Sequence, residues 1–214
     1  MKIYDPIILI DKGDFSSSRT WQRIHGQVVM SIQAVKWPKN SDQFCIFPGT
    51  KGNRLKGIPD TLNGVKPIKD AFVSKIVEFD DYGKWHLERR ADVATRKTPG
   101  KIDAVFESPE LGDRLFAVEW ETGNISSSHR AINKMALGLL KGILIGGLLI
   151  VPTRDFYKHL TDRVGNLSEL EPYFDLWRNI KITDGFLAIL PIEQDAVSTA
   201  VPRIDKGTDG RALV

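Results

Sequence analysis

Apolar residues at Trp21, Ile24, Val28, Ile32 and Val35 recur at intervals of three and four, the spacing that lines up one face of an α-helix. Ser16, Ser17 and Ser18 supply N-cap candidates just ahead of it. The Trp37-Pro38 pair ends it, because the residue before a proline is pushed out of helical geometry. A short strand over 43–47 follows, and then a stretch from 48 to 64, rich in Gly, Pro, Asn and Lys, reads as a long loop. Pro67 opens a second helix reaching about residue 79. The period then changes. Residues 85–90, 102–107 and 115–121 read as three strands, the latter two separated by a turn-like loop over 108–113. After Thr122, Gly123 and Asn124 a helix begins near Ser126 and carries Ala131, Met135, Leu139 and Leu140 on one side. Residues 147–151 form a continuous apolar run suited to a central strand covered on both faces. Helices over about 153–160 and 168–177 precede a strand over 185–191. From 193 to 214 the pattern fades into charged-plus-glycine clusters, which predicts an extended C-terminal arm.

Strands gathered first, then strand, helix and strand, predict an α/β fold: one domain over 1–214 with a central mixed β-sheet flanked by helices. A chain of 214 residues with 42% apolar content is enough for one sizeable core. The most apolar stretch, 136–151, contains Lys141 and the pair Gly146 and Gly147 and is shorter than a membrane span requires. It reads as the end of a helix, a turn and a buried strand. Asp5, Asp11 and Asp14 interrupt the first apolar residues, so no cleavable signal is expected. The single cysteine, Cys45, excludes an internal disulfide framework and fits a reducing compartment; a soluble cytoplasmic protein is expected. His25, His86, His129 and His159 are scattered, and no Cys or His pair has zinc spacing. No small-molecule cofactor is expected. A net charge of +3 permits a polyanionic partner without requiring one.

The acidic residues change the picture. Alternation places Ala117, Glu119 and Glu121 on one strand face, with Val118 and Trp120 on the other. A neighbouring strand that begins Ile102-Asp103 brings a third carboxylate alongside. Three carboxylates at one sheet edge raise one another's pKa values unless a cation sits among them. Such a set of hard oxygens, with room for water and phosphate, describes a magnesium site. It would lower the pKa of a bound water and neutralise charge developing on a phosphate oxygen. A solvated edge-strand face would look the same from these residues alone, and both readings stay open on that pattern. Basic residues flank the cluster: Lys51, Arg54, Lys56, Lys66 and Lys69 before it, then Arg89, Arg90, Arg96, Lys97 and Lys101. Acidic residues set between basic segments suit an enzyme that binds a polyanion and cuts it with a metal.

The run Glu119-Trp-Glu-Thr-Gly-Asn-Ile-Ser-Ser-Ser-His-Arg-Ala-Ile-Asn-Lys134 resembles the signature of the BamHI-type restriction endonucleases. So do Leu160-Thr-Asp-Arg-Val-Gly-Asn166, Glu169-Leu-Glu-Pro-Tyr-Phe174 and Lys206-Gly-Thr-Asp-Gly210, in the same order. The likeness is dense from about Leu115 onward. Earlier it survives as anchors, the Trp37-Pro38 pair, Gly64-Val-Lys-Pro-Ile-Lys69 and Gly100-Lys-Ile-Asp103. It implies the PD-(D/E)xK nuclease fold, with Glu121 standing where most members carry lysine. It also implies Asp103 and Glu119 as principal metal ligands, Glu88 as a further acidic ligand, and Glu121 orienting or deprotonating the attacking water. The metal it implies is Mg²⁺, with Mn²⁺ able to substitute and Ca²⁺ supporting binding without cleavage.

The same resemblance assigns DNA contacts. Asn124, Ser126 and Arg130 would face the major groove, Asp162 and Arg163 would read the outer base pair, and Lys69 would contact the DNA. Asp209 and Gly210 would lie where a C-terminal arm reaches the minor groove. The chemistry agrees for the outer pair: Arg can bond bidentately to the O6 and N7 of guanine, and Asp can accept from the N4 of cytosine. As plain structure, Asp162 and Arg163 would be a surface ion pair, and Asn124 and Ser126 helix caps. His129 is expected to pack rather than to bind metal. The expectation is a type II restriction endonuclease acting as a homodimer on palindromic double-stranded DNA. Its site would be GGATCC, cut after the first G to leave 5′-GATC overhangs. An AGATCT-like GATC-centred site, a nuclease of low specificity and a catalytically silent DNA-binding protein are the alternatives. The dimer face is expected on the helices over 126–141 and 153–160, whose apolar residues exceed what one sheet face needs. Relative to the family's type member, the loop over 48–64 is expected to be longer and the extra C-terminal helix absent.

Overall fold

Nine consecutive residues without alternation, Leu144–Pro152, are all buried and form the strand on which the molecule is assembled. The computed structural model describes residues 1–206 apart from 92, 94–99, 122, 162 and 163. Strands β1 (Lys2–Ile3) and β2 (Ile7–Lys12) open the chain, followed by α1 (Arg19–Gln33), β3 (Cys45–Ile46), α2 (Lys66–Ile76), β4 (Lys84–Arg90), β5 (Lys101–Glu107) and β6 (Leu115–Trp120). Then come α3 (Ile125–Leu140), β7 (Leu144–Pro152), α4 (Arg154–Tyr157), α5 (Leu167–Leu170), α6 (Phe174–Arg178), β8 (Gly185–Glu193) and β9 (Ala196–Val197).

Seven of these strands make one mixed sheet in the order β1-β8-β7-β6-β5-β4, with β2 also paired to β8. The pairs β6–β7 and β7–β8 are parallel; β4–β5, β5–β6 and both N-terminal pairings are antiparallel. Strands β3 and β9 form a separate parallel pair. Helices cover both faces, as the sequence predicts. Trp21, Ile24, Val28 and Ile32 of α1 and Ile68, Phe72 and Ile76 of α2 pack on Phe106, Phe116, Val118 and Leu148. On the other face Ile132, Met135, Ala136 and Leu139 of α3 pack on Val105, Ala117, Leu149 and Leu187, beside Phe174 and Trp177. Each fully buried aliphatic side chain of this kind contributes about 1.5–3 kcal/mol. Gly146 and Gly147 let both layers close down on β7. A Cβ on Gly146 would stand 2.3 Å from the Phe116 ring, and one on Gly147 would stand 2.8 Å from the Met135 sulfur.

Helix α1 is capped as expected, with the Ser18 hydroxyl accepting from the Trp21 amide. Several expectations are corrected. β1 and β2 were not anticipated; the run Ile7, Ile8, Leu9 and Ile10 pairs with a strand nearly the whole chain away. The helix expected over 153–160 shrinks to α4, and that over 168–177 breaks into α5, a 3-10 turn at Glu171–Tyr173 and α6, because Pro172 removes an amide there. Leu140 faces solvent at 54% exposure, while Ile132 and Ala136 take the buried side of α3. The apolar residues of α3 expected to serve a dimer face are therefore mostly consumed by the chain's own sheet. Residues 193–206 are no loose arm: β9 pairs with β3, and Ile204 is fully buried. Among the described residues no helix is long and apolar enough to cross a membrane.

Candidate active site

Strands β5 and β6 pair from Phe106 and Phe116 as far as Ala104 and Val118. One residue further along, carboxylates take over the main-chain bonding. The Trp120 amide donates to Asp103 Oδ2 at 3.0 Å, and the Asp103 amide donates to Glu119 Oε2 at 3.3 Å. The two side chains thus satisfy amides that the parting strands no longer pair, and they are fixed in orientation by doing so. Glu121 lies just past β6, where its amide still donates to the Ile150 carbonyl at 2.9 Å. Its Oε1 accepts from the Gly123 amide at 2.5 Å. Asn124 caps α3 by accepting from the Ser127 amide at 3.1 Å, so the helix N-terminus stands next to the carboxylates.

These residues border an open cleft of about 730 Å³ into which Asp103, Glu119 and Glu121 face together with Lys69, Lys101, Arg130 and Lys134. Two of the lysines stand on the carboxylates. Lys69, from α2 on one side of the sheet, pairs with Asp103 Oδ1 at 2.5 Å. Lys134, from α3 on the other side, pairs with Glu119 Oε1 and donates to the Lys101 carbonyl at 2.6 Å. Burial pushes the Glu119 pKa up, the Asp103 charge adds to this, and Lys134 opposes it. Burial also pushes Glu121 up, to about 7; the Ser128 hydroxyl and Gly123 amide pull it back, and the Glu119 and Asp103 charges raise it further.

The sequence anticipates three carboxylates converging on one ion. Among the described residues no three acidic, histidine or cysteine side chains stand close enough together to hold a metal. Lys69 and Lys134 supply positive charge beside two of the acidic side chains. The donor set still suits a hard divalent cation. Asp103 and Glu119 offer carboxylate oxygens to an open cleft, and Glu119 Oε1 is a buried oxygen whose charge a cation, at present the Lys134 ammonium, must balance.

The other expected residues fall as follows. Glu88 is not brought into the group. It sits in β4 between Leu87 and Arg89, whose pairing with β5 keeps one register, has φ 51°, is exposed, and pairs with Lys101 at 3.2 Å. Ser126 is exposed on the first turn of α3, and Arg130 lies one turn on, donating to Ser127 Oγ at 2.8 Å. Asp162, Arg163, Asp209 and Gly210 lie outside the described residues, as do Arg96 and Lys97. His129 packs edge-on against Tyr173, in keeping with a packing role. Lys134 was not singled out as a site residue. Only its place four residues after Arg130, on the same face of the helix, hints at it. Asn63 was also missed. Its buried side chain donates to the Phe47 and His159 carbonyls, each at 2.8 Å, and accepts from the Ile204 amide at 3.0 Å. It ties together the segments leading to 162–163 and 207–210.

Comparison with known proteins places this geometry in context. The family model described as restriction endonuclease BamHI matches residues 1–211. The type II restriction enzyme OkrAI of Oceanobacter kriegii is 44% identical over 213 residues, covering both chains completely. The type II restriction enzyme BamHI of Bacillus amyloliquefaciens is 35% identical over 199 residues, covering 91% of this chain and 85% of that one. Among solved structures, restriction endonuclease BglII complexed with a DNA 16-mer superposes with a TM-score of 0.59 over 91% of this chain and 79% of that one. Its sequence identity of 12% makes this a likeness of fold.

Proposed function

The chain belongs to the BamHI family of restriction endonucleases and is a type II site-specific deoxyribonuclease, and from that premise we propose that it cuts both strands of G^GATCC by Mg²⁺-dependent phosphodiester hydrolysis, leaving 5′-GATC overhangs. The observation that carries the reading is the cleft itself: Asp103, Glu119 and Glu121 at one end of β6, ringed by Lys69, Lys101, Arg130 and Lys134. Cations lining the cleft suit a phosphate backbone, and carboxylates among them suit its hydrolysis. Asp103 and Glu119 would hold the divalent cation, which when bound would polarise the scissile phosphate and acidify a water. Asp103 is kept in place by the Trp120 amide and Lys69, and Glu119 by the Asp103 amide.

Glu121 is the proton acceptor. A carboxyl with a pKa of about 7 exchanges its proton readily at neutral pH, where a general base works best. The Gly123 amide holds one of its oxygens, leaving the other for the attacking water. Asn124, Ser126 and Arg130, at the cap and in the first two turns of α3, would face the major groove. Asn124 uses its carbonyl oxygen as the cap, so its NH₂ group is the part directed to a base edge. Asp162 and Arg163 read the outer G·C pair, next to Thr161, whose amide donates to the Asn63 carbonyl at 3.0 Å. A palindrome is read by a two-fold homodimer, each subunit taking one half-site. The test is digestion of a plasmid with a single GGATCC, with and without Mg²⁺, followed by sequencing of the ends. Linear product ending in 5′-GATC supports the reading, while ends mapping to AGATCT or to scattered positions overturn the assigned site.

A further inference from the structure

Each of the two cleft carboxylates that would bind the cation already has a lysine against it. Asp103 accepts the Trp120 amide with one oxygen and meets Lys69 with the other. Glu119 accepts the Asp103 amide with Oε2, and its buried Oε1 pairs with the Lys134 ammonium. The Lys134 ammonium also donates to the Lys101 carbonyl, at 2.6 Å. It therefore supplies positive charge at a buried carboxylate oxygen that a bound cation would also use. Its neighbour one turn earlier on α3 is Arg130, which borders the same cleft. Like charges at this spacing repel, and Glu119 offsets the repulsion in the metal-free protein.

We propose that Lys134 is a built-in counter-cation that competes with the divalent ion for Glu119, and that its release couples cation binding to DNA binding. The inference rests on the reading of Asp103 and Glu119 as the cation's ligands. A divalent ion and an ammonium cannot share one carboxylate oxygen without strong repulsion. Lys134 has a long flexible stem, and only 16% of its side chain is exposed while it sits on Glu119. Once displaced, its ammonium turns into the open cleft beside Arg130, where DNA phosphate supplies the lost negative charge. By linkage the effect is reciprocal: DNA that draws Lys134 outward leaves Glu119 open to the ion.

The test is calorimetric titration of Ca²⁺ into the metal-free protein without DNA, for wild type, Lys134→Met, Lys134→Arg and Glu119→Gln. Lys134→Met is expected to bind Ca²⁺ about tenfold more tightly, as removal of a partly buried competing ion pair implies. Lys134→Arg keeps the charge and is expected to stay close to wild type. With a GGATCC duplex present, the factor by which Ca²⁺ tightens DNA binding should shrink in Lys134→Met. In EDTA that variant should melt lower than wild type and regain the difference in Ca²⁺. Lys134→Gln gives the same readout should the Met variant fail to fold. Ca²⁺ affinity lost in Glu119→Gln but unchanged or weaker in Lys134→Met overturns the role of Lys134 and leaves the ligands intact. Ca²⁺ affinity unchanged in Glu119→Gln, or absent in wild type, overturns both.

Discussion

Glu121→Gln should make the metal-free protein more stable at alkaline pH while removing its activity. Glu121 is 5% exposed, and its carboxyl is raised from an ordinary 4.5 to about 7, chiefly by burial. Below pH 4.5 both the folded and unfolded states hold this proton. Between 4.5 and about 7 the unfolded chain releases it and the folded chain keeps it, so the unfolded state binds fewer protons and stability falls as pH rises. Above about 7 the folded protein carries a buried carboxylate, and the full penalty applies. At about 1.4 kcal/mol per tenfold change in proton affinity, the interval corresponds to roughly 3 kcal/mol. Relaxation around the charge reduces this, and roughly 1–3 kcal/mol is the expected gain for the neutral isostere at pH 8.5. Glutamine keeps an oxygen to accept the Gly123 amide, so no hydrogen bond is lost there. Glu119 is raised as well, and the difference between the two proteins reports Glu121 together with its coupling to Glu119. The assay is urea unfolding in EDTA at pH 4, 6, 7 and 8.5. A gain that is the same at every pH, or a variant less stable than wild type at pH 8.5, would refute the reasoning.

Three further outcomes are expected. Glu121→Lys restores the commoner residue of the wider fold but places an ammonium near Lys69 and Lys134, so single-turnover cleavage should fall by orders of magnitude; a fully active variant means the carboxylate has no role. Asn63→Ala removes three buried hydrogen bonds joining residues 47, 159 and 204 and should lower stability by about 2–4 kcal/mol in chemical unfolding. A loss under 1 kcal/mol would mean that these segments are held by other contacts. Arg163→Ala should weaken binding to GGATCC duplexes by about 1–3 kcal/mol per half-site, about 2–6 kcal/mol for the dimer, with far less effect on non-specific DNA. The comparison is made in Ca²⁺ at fixed salt against duplexes altered only at the outer pair, and equal weakening of all duplexes would make Arg163 a phosphate or structural residue.

Much of this site is legible in the sequence because its geometry is local. Alternation along 115–121 puts Glu119 and Glu121 on one side, and a short antiparallel connection brings Asp103 beside them. The Leu144–Pro152 strand announces itself as an unbroken apolar run. What was missed depends on contacts between distant residues. Ile7 to Ile10 look like an interrupted apolar segment until β8 supplies their partner. The tail looks unstructured until Asn63 clasps Ile204. Glu88 is implied as a ligand only by the resemblance, and in the structure it has a positive φ, is exposed and pairs with Lys101. Lys134 is hidden for the opposite reason: on α3 it reads as one more solvent-facing cation, and only the packing of α3 over β6 puts it on Glu119.

Cleavage and binding by wild type and Glu119→Gln on two duplexes that differ only at the outer base pair, GGATCC and AGATCT, test the central claim most directly. With Mg²⁺, wild type should cut GGATCC after the first G on both strands and leave AGATCT intact. Glu119→Gln should cut neither, yet in EDTA hold GGATCC at least as well as wild type, since one negative charge near phosphate is gone. Equal cutting of both duplexes by wild type would contradict the assigned specificity, and near-normal cleavage by Glu119→Gln would contradict the assigned active site.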